Sequence, residues 1–133
     1  MSGMTQIMIV EDNPRARQAL KALMSMQTGI KVTGDASNGL KAINAIEQQH
    51  PDLILMDMRM PVMDGLEATK IIKANWPQIK VVVMTMYPAC RLDAFGAGAD
   101  AFLIKGCPLE ELSSIVTGTI NTTHKDDKKP FNE

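Results

Sequence analysis

The sequence predicts one α/β domain in which five parallel β-strands alternate with five α-helices. Short apolar runs without a polar face recur along the chain, and segments with helical apolar spacing separate them. The chain has 133 residues, of which 45% are hydrophobic and 22% charged, as expected for a single globular domain. Strands that are apolar on both faces must be covered on both sides. We therefore expect a three-layer sandwich, with a parallel sheet between two layers of helices.

The first elements of the chain are a strand, a helix and a second strand. Residues 6–10 form an apolar run that predicts the first strand and ends at an acidic pair. Asn13 and Pro14 then predict the start of the first helix, because asparagine caps helices and proline suits the first helical position. Residues 30–33 are a weaker candidate for the second strand.

The middle of the chain continues the alternation. Asn38 predicts the cap of the second helix, whose apolar face would include Leu40. Pro51 breaks that helix, and residues 52–56 predict a buried strand that ends at an aspartate. A stretch with turn chemistry follows, and the third helix is predicted at residues 66–74.

The last part of the chain contains the clearest strand and the poorest helix. Residues 79–84 predict the fourth strand, residues 88–95 a short and weak helix, and residues 101–104 the fifth strand. Pro108 predicts the start of the last helix, whose apolar face would include Leu109. Right-handed crossovers between parallel strands limit the topology. We expect the strand order 2-1-3-4-5, the flavodoxin-like (βα)5 arrangement.

Composition and charge argue against several classes of function. The formal net charge of −1 does not favour a nucleic-acid-binding surface. No apolar run has the length of a membrane span and the first residues do not resemble a secretory signal, so we expect a cytoplasmic protein that does not bind membranes. Cys90 and Cys107 are expected to be reduced thiols. The chain becomes polar near its end, so we expect a domain at residues 1–120 and a polar tail or truncated linker at residues 121–133.

Polar side chains follow four of the predicted strands at the point where each strand ends. They are Glu11 and Asp12, Asp57, Thr85, and Lys105. The carboxyl ends of parallel strands meet at one edge of the sheet, so we expect these groups to lie close together. Three clustered carboxylates need a cation, and their hard oxygen ligands suit Mg²⁺ or Mn²⁺. The lysine and the threonine hydroxyl could neutralise a phosphoryl group while a carboxylate attacks it.

Each of these residues has an ordinary structural interpretation when it is taken alone. An acidic pair after a strand can cap a helix, an aspartate can belong to a turn, and a lysine can be a solvated charge. The functional interpretation depends on the whole set, because five polar residues end four strands of one predicted sheet.

The segments that carry these residues resemble the receiver domains of response regulators in two-component signalling. The resemblance covers residues 5–120 and depends on four stretches: residues 9–14, 52–65, 83–85 and 98–105. The Asp-x-x-Met-Pro-x-x-Asp-Gly pattern from Asp57 to Gly65 is its most specific part.

The resemblance implies a phosphoacceptor and a metal site. Asp57 would accept the phosphoryl group and would also be a metal ligand. Asp12 would bind Mg²⁺ or Mn²⁺ directly, Glu11 would do so largely through water, and the backbone carbonyl of Arg59 would be a further ligand. The protein would act as a phosphoacceptor switch rather than as an enzyme with external substrates.

The resemblance also implies a switch and a set of partners. Thr85 and Lys105 would contact the phosphoryl group, and Phe102 would be the aromatic side chain that rotates when Thr85 moves. This movement would alter the face made by the fourth helix, the fifth strand and the fifth helix. The phosphoryl donor would be a sensor histidine kinase or a phosphotransfer protein. A second copy of the chain, forming a homodimer, is left open as a further partner.

The residues after the fourth strand indicate a subfamily. Thr85, Met86 and Tyr87 resemble receivers that are fused to a LuxR/NarL-type helix-turn-helix output domain. We found no such module in these 133 residues, so we expect that this chain alone does not bind DNA and that transcription would be controlled through an attached domain.

Three other interpretations compete with the phosphoacceptor switch. A flavin-binding protein of the same fold is disfavoured, because two carboxylates after the first strand would repel a phosphate. A phosphatase with an aspartyl nucleophile would need an acid two residues after that nucleophile, where this chain has Arg59. A pseudo-receiver, which acts as an interaction module without phosphorylation, remains the alternative function, although all five site residues are present.

Overall fold

A computed structural model describes residues 3–121 of the chain. It contains one parallel sheet with the strand order 2-1-3-4-5, as predicted, and helices cover both of its faces. The strands are β1 (Thr5–Val10), β2 (Ile30–Ala36), β3 (Leu53–Asp57), β4 (Lys80–Thr85) and β5 (Ala101–Ile104). The helices are α1 (Pro14–Ser25), α2 (Gly39–Gln48), α3 (Gly65–Asn75), α4 (Arg91–Gly96) and α5 (Leu109–Asn121).

Side-chain caps begin the first three helices. Asn13, Asn38 and Asp64 each accept a hydrogen bond from a backbone N–H in the first turn of the following helix, at 3.0, 2.9 and 2.9 Å. A side-chain cap of this kind is typically worth about 1 kcal/mol of helix stability. The caps fix where α1, α2 and α3 start, next to the carboxyl edge of the sheet.

The alternation of side chains along the strands divides the core into two clusters. The cluster that we call the α2–α4 core joins those helices to Met8, Val10, Ile54, Met56, Val81 and Val83. The cluster that we call the α1/α5 core joins the other two helices to Ile7, Ile9, Leu53, Leu55, Val82 and Met84. Fully burying one such side chain contributes about 1.5–3 kcal/mol. The continuous apolar strands of the sequence therefore serve two cores, one on each side of the sheet.

One strand differs from the sequence-based expectation, while the weak fourth helix agrees with it. Strand β2 extends to Ala36 instead of ending at Thr33. Its register against β1 shifts by one residue, because Ile7 pairs with Val32 whereas Met8 pairs with Gly34. The weak fourth helix is indeed short. It consists of a 3₁₀ turn followed by the six residues of α4.

Two leucines that were expected on buried faces are exposed. Leu40 and Leu109 stand at the starts of α2 and α5 with 44% and 42% of their surface accessible. Ala42 and Leu112, further along each helix, are buried instead.

No helix among residues 3–121 combines the length and apolar character that crossing a membrane requires. The tail or linker expected at residues 121–133 lies outside the described residues, apart from Asn121, which ends α5.

Candidate functional site

Strand register determines which polar groups meet at the carboxyl edge of the sheet. Val10 of β1 pairs with Met56 of β3, so Glu11 and Asp57 follow at the same level on neighbouring strands. Alternate residues of each strand face the α1/α5 core, and Glu11 and Asp57 are in phase with them on β1 and β3. Lys105, which follows β5, is in phase in the same way. The edge predicted from the sequence is therefore present.

Lys105 bridges the two buried carboxylates. Its Nζ lies 2.8 Å from Oε1 of Glu11 and 3.0 Å from Oδ1 of Asp57. Glu11 and Asp57 are only 1% and 4% exposed. The backbone N–H of Asn13 donates to Oε2 of Glu11 at 3.1 Å, so both oxygens of that carboxylate have a partner. One ammonium group thus holds two acids that would otherwise repel each other.

Asp12 completes a group of three acids. Glu11, Asp12 and Asp57 each offer a carboxylate oxygen, and these oxygens lie within 4.8 Å of one another. Asp12 is exposed, and among residues 3–121 no hydrogen bond or ion pair holds its side chain. Three carboxylates and one lysine leave an excess of negative charge, and such a set of hard oxygen donors suits a divalent cation.

The electrostatics of the site distinguish the two buried acids. Burial raises the pKa of Asp57 to about 6; Lys105 opposes this shift, and repulsion from Glu11 adds to it. Burial also favours the protonated form of Glu11, but hydrogen bonds from Lys105 and Asn13 outweigh it and lower the pKa of that carboxyl. Burial disfavours the charge on Lys105, yet its two carboxylate partners raise the pKa of the ammonium group. Of the two acids, Asp57 takes up a proton first.

Thr85 and Phe102 lie on the other side of the sheet. Thr85 is 2% exposed, and its Oγ accepts a hydrogen bond from the backbone N–H of Tyr87 at 3.2 Å. Phe102 is half-buried against the α2–α4 core and pairs with Val83, two residues before Thr85. The two residues of the predicted switch thus share a face, and the threonine hydroxyl is bonded to the loop after β4 rather than to Asp57.

Arg59 and Tyr87, two residues after Asp57 and Thr85, contact each other. The guanidinium carbon of Arg59 lies 5.2 Å from the centre of the Tyr87 ring, a cation–π arrangement between the loops that follow β3 and β4. Both side chains are exposed. The two positions thus face each other, as their spacing from Asp57 and Thr85 suggests.

A glycine allows α3 to approach the end of β3. A Cβ at Gly65 would clash with the carbonyl oxygen of Asp57 and would lie 2.9 Å from Cα of Met58. The N–H of Gly65 donates to the carbonyl of Met58 at 2.8 Å. The last residue of the Asp-to-Gly pattern is therefore required by the close contact between helix and strand.

Sequence reasoning missed two residues beside the acidic pair. Arg17 of α1 donates from Nη1 to the carbonyl oxygen of Glu11 at 2.7 Å, and its Nε lies 3.3 Å from Oδ2 of Asp35 in β2. The signal was that β2 also ends at the carboxyl edge. It was missed because the expected strand stopped at Thr33, before Asp35.

Comparison with known proteins agrees with this architecture. The profile of the response regulator receiver domain family matches residues 7–117. A transcriptional regulatory protein of Bacillus subtilis, the uncharacterized YhcZ, is 38% identical over 109 residues, which cover 80% of this chain and 51% of that protein. The chain spans about half the length of the curated relatives that it matches.

Solved structures show the same likeness. A DNA-binding response regulator of the LuxR family from Staphylococcus aureus is 31% identical with a TM-score of 0.83, and the match covers 89% of this chain and all of that one. The receiver domain of the sensor histidine kinase PA1611 from Pseudomonas aeruginosa, with a magnesium ion coordinated in its active-site cleft, is 32% identical with a TM-score of 0.79 over 91% of this chain and all of that one. The chain therefore belongs to the response regulator receiver domain family of two-component signalling, and its relatives include regulators of the LuxR family.

Proposed function

We propose that this receiver domain accepts a phosphoryl group on a carboxylate oxygen of Asp57, in the presence of Mg²⁺ or Mn²⁺. The observation that carries the proposal is the placement of Asp57, a buried carboxylate between Lys105 and an acidic pair at the carboxyl edge of the sheet. The donor would be a sensor histidine kinase or a phosphotransfer protein. The protein would thus be a switch that acts on itself.

The donor set supports a divalent cation. Glu11, Asp12, Asp57 and the backbone carbonyl of Arg59 would hold it, Glu11 largely through water. The carboxylates of Glu11, Asp12 and Asp57 lie close enough together to bind one ion, and their excess negative charge favours a bound cation. A bound cation would offset the negative charge of the phosphoryl oxygens. The magnesium in the cleft of the PA1611 receiver adds support by analogy.

The residues around Asp57 suit the transfer itself. A bond forms between a carboxylate oxygen of Asp57 and phosphorus as the bond from phosphorus to the donor's imidazole nitrogen breaks, and that nitrogen keeps the electron pair. Lys105, which already lies 3.0 Å from this carboxylate, would turn its charge to the phosphoryl oxygens. The hydroxyl of Thr85 would donate to another of these oxygens.

The switch would follow from the present bond of Thr85. If its hydroxyl turns to the phosphoryl group, the N–H of Tyr87 loses the acceptor that it has now. The loop after β4 must then rearrange, and Phe102 on the same face would fill the space that is vacated. The altered surface would be the face made by α4, β5 and α5, in a shift between two pre-existing states.

The output would be control of transcription in the cytoplasm. We propose that residues 1–120 form the receiver unit and that residues 121–133 form a tail or lead to a DNA-binding domain. The LuxR-family relatives support this layout. A homodimer formed in the phosphorylated state is compatible with it.

The first prediction tests the acceptor. The chain is incubated with acetyl phosphate, with and without Mg²⁺, and its intact mass is measured. We expect a gain of one phosphoryl group that requires Mg²⁺ and disappears in Asp57→Asn. Asp64→Asn is the matched control, because asparagine keeps the cap of α3 while it removes an exposed carboxylate from the same loop.

Two results would reject the proposal. Labelling that persists in Asp57→Asn would place the acceptor elsewhere. A properly folded chain that is never labelled, and that does not bind beryllofluoride either, would favour the pseudo-receiver, an interaction module that does not need phosphorylation.

A further inference from the structure

The Asp12 carboxylate has no partner among the described residues that fixes it. Among residues 3–121 no hydrogen bond or ion pair involves this side chain, and it is exposed. Its position at the site therefore depends on the backbone from which it projects. That backbone begins with the peptide group that joins Glu11 to Asp12.

Both polar atoms of the Glu11 backbone are held by neighbouring elements. Its N–H donates to the carbonyl of Ala36 in β2 at 3.0 Å. Its carbonyl oxygen, which belongs to the peptide group before Asp12, accepts from Nη1 of Arg17 at 2.7 Å. The second contact is a short bond to a charged donor, which is stronger than a bond between neutral groups.

The guanidinium of Arg17 is itself held in place. Its Nε lies 3.3 Å from Oδ2 of Asp35, and the side chain is only 18% exposed. Lys21, one turn further along α1, contacts the same oxygen of Asp35 at 3.2 Å but does not reach Glu11. The planar fork of an arginine can serve both acceptors at once, whereas a lysine cannot match that geometry.

We propose that Arg17, aligned by Asp35, is a positioning residue for the metal-binding carboxylate of Asp12. Its guanidinium fixes the peptide group between Glu11 and Asp12 and thereby the direction in which the Asp12 side chain leaves the chain. This inference rests on the proposed function, because it assigns a purpose to the acidic pair as metal ligands. Arg17 itself touches no metal ligand atom of the site; it acts through the backbone of Glu11.

The sign of the effect separates positioning from simple electrostatics. If Arg17 acted only through its charge, its removal would strengthen the binding of a cation by the three carboxylates. If Arg17 positions Asp12, its removal weakens that binding. Groups that orient metal ligands typically contribute about 10- to 100-fold in metal affinity.

The test is a Mg²⁺ titration of the full chain, followed by the amide chemical shifts of Asp12 and its neighbours. We expect Arg17→Met to weaken Mg²⁺ affinity about tenfold. Lys21→Met is the matched control, because it removes the other cation that contacts Asp35 without changing a contact of Glu11. The Mg²⁺ affinity of this variant should be unchanged or slightly higher than that of the parent chain. The Mg²⁺ affinity of Arg17→Lys should fall between those of the parent chain and Arg17→Met, because lysine keeps one charged donor but lacks the planar guanidinium.

A second measurement does not need the metal. In Mg²⁺-free protein, ¹⁵N relaxation should show a more mobile Asp12 amide in Arg17→Met and Arg17→Lys but not in Lys21→Met. If the parent chain binds Mg²⁺ and Arg17→Met binds it equally or more tightly, the positioning role is wrong while the proposed function stands. If the parent chain does not bind Mg²⁺ at all, the proposed function fails and the inference fails with it.

Discussion

At the residue scale, the surroundings of Asp57 are decided by a few side chains. The sequence predicts that Glu11, Asp57 and Lys105 meet at one edge of the sheet, because each follows an apolar run that forms a parallel strand. The structure places them in contact. The sequence could not reveal that the lysine holds both acids at once. That depends on the length of its side chain and on the burial of both carboxylates, which are properties of the packed edge.

The Arg59–Tyr87 pair yields a prediction about the lifetime of the acyl phosphate. Hydrolysis requires a water molecule in line with the bond between phosphorus and Asp57. We expect these two large side chains, each two residues after a residue of the site, to border the approach of that water. Because the guanidinium lies over the ring, we expect it to shield the site rather than to assist the water. Tyr87→Ala and Arg59→Asn should each speed dephosphorylation several-fold, and roughly tenfold would correspond to about 1.4 kcal/mol.

The measurement is the first-order decay of phosphorylated protein after the donor is removed. Arg91→Ala serves as a control, since it breaks the similar contact between Arg91 and Phe95 on α4, 5.0 Å from cation to ring centre. The effects of Tyr87→Ala and Arg59→Asn should not add, because the two side chains touch. Slower decay in Arg59→Asn would instead assign the arginine an assisting role.

At the scale of the elements, the loop from β3 to α3 contains a residue in an unfavourable conformation. Val62 has a φ of 70°, the only positive φ of a non-glycine residue between residues 3 and 121, and 77% of its surface is exposed. A β-branched side chain is poorly suited to this region, whereas asparagine and glycine tolerate it. The strain is located between Asp57 and the cap of α3.

We predict that Val62→Asn stabilises the protein by about 1 kcal/mol, because it relieves this backbone strain at an exposed position. The free energy of unfolding is measured by urea denaturation. Val62→Thr is the matched control, because it remains β-branched and should bring no comparable gain. Equal stability of the parent chain and Val62→Asn would show that the left-handed conformation carries no cost here.

The elements also show where sequence patterns become insufficient. The caps at Asn13 and Asn38 and the short fourth helix could be predicted from local chemistry. The length of β2 could not, because Gly34 and Asp35 resemble a turn in the sequence but pair with β1 in the fold. The exposure of Leu40 was also not predictable, since helical spacing gives a face but not the residue at which burial begins.

At the scale of the whole molecule, the buried acids give the stability of the protein a dependence on pH. The folded-state pKa of Asp57 is about 6, above its ordinary value of 3.8. Between these values the folded protein binds the proton more strongly than the unfolded chain, so this residue makes the metal-free protein less stable as pH rises from about 4 to about 6. Glu11, whose pKa is lowered, contributes in the opposite direction.

Asp57→Asn should therefore raise the free energy of unfolding at pH 7.5, without divalent cations, by about 1–3 kcal/mol. The gain should shrink as pH falls through about 6 and should vanish only below about pH 3, where Asp57 is protonated in both states. Added Mg²⁺ should narrow the difference by binding more tightly to the parent chain. The measurement is urea denaturation across pH, with Asp64→Asn as an exposed control. If the variant is no more stable than its parent at pH 7.5, the ionised form of Asp57 does not destabilise the folded protein.

The two-sided core has a consequence for how such a molecule can diverge. Glu11, Asp57 and Lys105 lie on the side of the sheet that faces α1 and α5, whereas Thr85 and Phe102 lie on the side that faces the other helices. The α1/α5 core and the α2–α4 core share no side chain. Substitutions that adjust one side therefore leave the packing of the other intact. Strands β1, β3 and β4 each supply side chains to both sides, so a change of backbone in any of them reaches both clusters. The helices, each of which packs on one side of the sheet, should therefore diverge more freely between related proteins than these three strands.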